Sequence, residues 1–193
     1  DGRPVRIPAV TFSGPGFRPG EVSMKAVEFI QASVQGLHQT LIEDMKELTQ
    51  EQLAWRPQPG ANPIGAIFLH YIRTEDAFVQ RMRGLPPLWD AEKWDEKSGI
   101  ALPSFRLSPG EEEADMAASL PLAESLVYAR QAMDSTRTFM ETLDDDKLDV
   151  VPDPDRPRRT IAVNFRAFIL GHGWWHLGEI KYLKGLQGMP APV

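Results

Sequence analysis

The chain has 193 residues, 42% of them hydrophobic and 25% charged, which fits one globular domain with a full core and excludes a disordered or fibrous protein. It contains no cysteine, so disulfides, thiolate metal sites and cysteine nucleophiles are ruled out, and any metal falls to histidine and carboxylate. The formal net charge is −6 and the basic residues are scattered apart from Arg156, Arg158 and Arg159, which argues against a nucleic-acid partner.

No apolar run of membrane-spanning length and no signal-peptide core is present, so neither a membrane partner nor export is expected, and a cytoplasmic location is. The opening Asp1 in place of Met is read as the mark of a removed upstream segment. Residues 1–21 carry four prolines and four glycines within their first twenty positions, a composition that predicts an extended arm rather than a helix. Residues 22–193 are read as one domain.

The first helix is predicted over 22–48, where Val27, Ile30, Val34, Leu37, Leu41, Met45 and Leu48 recur at steps of three and four. Pro57, Pro59 and Gly60 interrupt the chain, and Asn62 with Pro63 reads as an N-cap followed by a first-turn proline. A second helix is predicted from about Pro63 to Arg83, with Ile67, His70, Thr74 and Phe78 along one stripe. Residues 84–118 lose the pattern. Their prolines, the acidic run and the isolated Trp89 and Trp94 predict a partly ordered excursion with one short helix near 110–117, placed to close over a site.

A third helix follows from Leu122 through Leu143, then a polar, proline-rich loop. The fourth is predicted over Ile161 to Leu186, with Ile161, Phe165, Phe168, His172, His176, Glu179, Leu183 and Leu186 on one seam and Gly185 and Gly188 at its end. Four helices with one short and two long connections predict an all-α four-helix bundle with long crossovers.

The chemistry concentrates in GHGWWHLGE, residues 171–179. Positions i and i+4 of a helix bring Cβ atoms within about 5–6 Å, so His172 and His176 can aim two imidazoles at one ion. Both stand where Leu or Phe belongs, and a buried imidazole requires a partner. The alternative is two polar residues satisfied separately. His70 is the candidate third ligand, against its reading as a hydrogen-bonded core histidine. Glu179 extends the same face as a ligand, an orienting partner or a catalytic base on bound water, against a surface carboxylate paired with Lys181 or Lys184. His38 is placed at the boundary or surface, with pocket lining as the lesser reading. Trp174 and Trp175 are assigned to core and interface packing. Gly173 after the first histidine excludes the zinc-protease pattern.

LAWRPQPGANPIGAIFLHYIRTED and GHGWWHLGEIKYLKG resemble the DinB-like (DinB/YfiT) superfamily over roughly residues 22–188. The resemblance implies that His70, His172 and His176 hold a divalent metal, nickel or zinc first and iron or manganese next, with water completing the shell. It further implies a small-molecule substrate, either with a low-molecular-weight thiol in an S-transfer or in a hydrolysis. The alternative is a non-catalytic metal- or ligand-binding stress-response module. A homodimer is expected in either case.

Overall fold

The structure, a computed structural model, describes residues 24–103, 105 and 110–189, and the arm predicted over 1–21 lies outside them. The described residues are helical and contain no strand. The order is α1 (Ala26–Met45), α2 (Gln50–Ala54), α3 (Ile64–Met82), α4 (Leu88–Ala91), α5 (Trp94–Ser98), α6 (Glu111–Ser119), α7 (Leu122–Met140), a 3₁₀ turn (Asp146–Asp149), and α8 (Ile161–Asn164). From α8 the chain continues through a π-helical stretch (Phe165–Gly171) into α9 (His172–Leu186).

The helix ends follow local chemistry. Glu28 accepts from the Lys25 N–H at the start of α1, and Asp145, far along the chain, accepts from the Val27 N–H. Thr49 and Gln52 form a reciprocal capping box on α2. Asn62 does not cap α3, because Pro63 itself occupies that position and its carbonyl accepts from Ile67. At the end of α9, Gly188 adopts φ 75°, and Met189 and Gly188 donate to the carbonyls of Lys184 and Gly185. That is a Schellman stop, which a side-chain-bearing residue adopts only with strain.

α3 is the central element, packed by α2, α6, α7 and α9 and hence buried on nearly every side. This is why Arg73, Thr74, Glu75, Asp76 and Gln80 are buried along with the apolar residues. α1 packs on α7 and α9. Among its described residues the excursion between α3 and α7 carries three helices, α4, α5 and α6, where its composition predicts one. Asp76 accepts from the Leu88 and Trp89 N–H groups and from the Tyr128 hydroxyl, and Trp89 and Trp94 pack around the Tyr128 ring at 5.0 and 5.4 Å between centroids. Both tryptophans are core, not a lid. Trp174 and Trp175 lie outside the core, at 48% and 70% exposure.

The three-histidine centre

His70 comes from the middle of α3, and His172 and His176 open α9. The structure brings all three together, with a nitrogen from each lying within 4.8 Å of the others. The Nε2 atoms of His172 and His176 stand 2.9 Å apart. The His70 ring meets each of the other two edge-on at 5.2 Å between centroids, and Phe105 stacks on its outer side at 6.3 Å.

Two local features set this geometry. The π-helical stretch ends at Gly171, immediately before His172, and such an inserted residue shifts the face that the following turns present. A continuous α-helix was the sequence expectation, and no periodicity signals the interruption. Gly173 then lets α9 approach its neighbours, because a Cβ there would lie 2.4 Å from Leu37 Cδ2 and 2.8 Å from the Tyr71 ring. Gly173→Ala is therefore expected to destabilise the protein by about 1–3 kcal/mol through overpacking, despite alanine's better helix propensity. Denaturant unfolding of the variant measures this.

The electrostatics favour neutral imidazoles. Burial, followed by the charge of His176, lowers the pKa of His70 and His172 from 6.5 to about 4. Glu179 Oε2 lies 2.7 Å from His176 Nδ1. A carboxylate only accepts, so Nδ1 carries the proton and the Nε2 lone pair faces the cluster. The alternative partners of Glu179 are committed elsewhere, since Lys181 and Lys184 both pair with the buried Asp44 of α1.

The donor set fits one divalent ion. Nitrogens bound at about 2.0–2.1 Å to a common centre stand about 2.8–3.4 Å apart, depending on the angle between them, so the His172–His176 pair at 2.9 Å already has a suitable spacing and His70 closes from the far side. The side chain of His172 also leaves its buried Nδ1 without a hydrogen-bond partner among the described residues. A family model described as the DinB superfamily matches residues 34–180, three quarters of the chain, and spans all three histidines.

The chain belongs to the DinB superfamily. No curated protein matches it. Among solved structures, a conserved protein from Enterococcus faecalis superposes with a TM-score of 0.69 at 20% identity, covering 85% of this chain and 98% of that one. Identity that low speaks for a shared fold alone. This DinB-superfamily chain draws its histidine cluster from two separate helical elements, and no helix among its described residues is long and apolar enough to cross a membrane.

Sequence reading passed over a second polar group beside this centre. Glu75, fully buried on α3, accepts from the hydroxyls of Tyr71 and Thr136 and lies 3.0 Å from His38 Nε2. One position off an apolar stripe, a glutamate reads as solvated. Only the enclosure of α3 on every side reveals it as interior.

Proposed function

We propose that this DinB-superfamily chain is a metal-dependent enzyme built on a four-helix bundle of α1, α3, α7 and α8–α9, with His70, His172 and His176 holding one divalent ion, nickel or zinc. The observation that carries the reading is the convergence of three ligand-capable nitrogens within 4.8 Å, drawn from two helical elements. Three imidazole ligands leave coordination positions free, the pattern of a catalytic rather than a structural site. A bound ion of this kind supplies Lewis acidity, lowering the pKa of water or of a thiol.

The chain's own residues supply the rest. Burial keeps His70 and His172 unprotonated. Glu179 acts as a positioning residue that holds the His176 ring and tautomer. With no cysteine in the chain, a sulfur nucleophile comes from a low-molecular-weight thiol cosubstrate. The half-exposed Trp174 and the exposed Trp175, Tyr182 and Leu186 of α9 offer a face for a homodimer contact.

The test is elemental analysis of protein purified without a metal-affinity tag, followed by turnover assays with small thiols and an electrophile such as a haloarene. About one divalent ion per chain with thiol consumption supports the enzyme. A metal-free protein overturns the site, and a loaded protein inert across a broad panel favours the non-catalytic module. Glu179→Gln is expected to weaken metal affinity by about 10–100-fold, the usual effect of removing an outer-shell carboxylate, with the fold intact. Competition with a chelator measures it.

A further inference from the structure

The His38–Glu75 pair lies outside the three-histidine centre, and the cavity that His38 lines includes none of those three histidines. Glu75 is enclosed in the middle of α3, and its carboxylate accepts from the Tyr71 hydroxyl at 2.7 Å, the Thr136 hydroxyl at 2.6 Å, and His38 Nε2 at 3.0 Å from both of its oxygens. A carboxylate so placed costs several kcal/mol in desolvation, and an apolar residue would serve packing as well or better. Its hydrogen bonds do one thing that packing cannot, which is to fix the imidazole of His38. Because the carboxylate only accepts, Nε2 carries the proton, and Nδ1 makes no hydrogen bond to any described residue.

His38, its side chain 12% exposed, lines a cavity of about 390 Å³ between α1 and α7. That volume falls in the range of small-molecule sites. The cavity joins two kinds of surface. Met133 and Met140 provide an apolar wall, whereas the amides of Gln35 and Gln39 have no partner among the described residues. The charged rim has an excess of negative charge, since Asp134 and Glu141 flank the single Arg137 and both pair with it.

We infer that this cavity is a second ligand site, with His38 Nδ1 as a hydrogen-bond acceptor at its floor and a small organic amine, a cation on an apolar body, as its ligand. Nδ1 takes an N–H from the amine, the acidic rim favours its positive charge, and the methionines receive the apolar part. Glu75 is the positioning residue. The site stands apart from the metal reading, since no hydrogen bond links Glu75 or His38 to His70, His172 or His176.

The experiment titrates the full-length protein with phenethylamine, following the histidine ring resonances by NMR and the affinity by calorimetry. Phenylacetate and 2-phenylethanol serve as the anionic and neutral counterparts. Saturable binding of the amine is expected, with movement of the His38 resonances and not of the other three histidines. His38→Gln should weaken it by about tenfold, roughly 1.4 kcal/mol. The exposed rim variants Asp134→Asn and Glu141→Gln, which leave the core intact, should each weaken it severalfold. The inference is overturned if millimolar amine leaves the His38 ring unmoved, if phenylacetate binds as well as the amine, or if a folded His38→Gln protein or the rim variants bind like wild type. Loss of metal from His38→Gln would also overturn it, by placing the pair in the service of the three-histidine centre.

Discussion

Replacing His176 with alanine is expected to empty the three-histidine centre. His176 touches both of its partners, with Nε2 2.9 Å from His172 Nε2 and its ring edge-on to His70 at 5.2 Å. It is also the only one of the three tied to Glu179. The substitution therefore removes one donor and the carboxylate's hold on the cluster together. The loss in metal affinity should exceed the about 10–100-fold expected for an outer carboxylate alone. Because the side chain is only partly buried, the metal-free fold should persist. Thermal unfolding then separates the effects: the wild type gains stability with added nickel or zinc in proportion to the logarithm of concentration over Kd, and the variant does not. A His176→Ala protein that keeps its metal through dialysis would refute the assignment.

Glu75→Ala is expected to be among the most damaging single substitutions for stability, at about 3–5 kcal/mol. The glutamate accepts from three side chains at once, and its removal leaves the fully buried Tyr71 hydroxyl and the His38 Nε2–H without their acceptor, whereas Thr136 keeps its bond to the Ala132 carbonyl. Each unsatisfied buried polar group costs about 1–3 kcal/mol, and the deleted side chain adds the cost of the cavity it leaves. Urea unfolding gives the value directly. Tyr71→Phe provides the internal control, since it deletes one donor and leaves the carboxylate with two. It should cost well under half as much. Equal effects would mean that the single Tyr71–Glu75 hydrogen bond, rather than the carboxylate's full set of three, dominates this part of the core.

The two polar groups differ in how far each was legible in the sequence. The histidine cluster was readable because helical spacing puts His172 and His176 on one face at any tertiary arrangement, and because His70 occupies an apolar stripe. The roles of neighbouring residues were not. Trp89 and Trp94 stand in a proline-rich segment, and their burial depends on Asp76 holding the backbone of Leu88 and Trp89 against Tyr128, a contact spanning about fifty positions. Trp174 and Trp175 sit beside the histidines, yet the face they occupy turns outward. The seam drawn along the last helix likewise ended on Leu186, which is exposed.

Periodicity, proline and glycine punctuation, and the lack of cysteine by themselves determined the all-helical class, the positions of the four long helices and the restriction of metal chemistry to imidazole and carboxylate. Those are local properties, set by which residues repeat along a helix and which side chains the chain contains. Tertiary structure alone decided that His70 reaches the α9 pair, that a π-helical stretch sets the face they share, and that Glu75 is interior. The physical reason is that burial and convergence arise from what packs against a helix. α3 is enclosed on nearly every side by elements up to about a hundred residues away, and nothing in its own 19 positions records them.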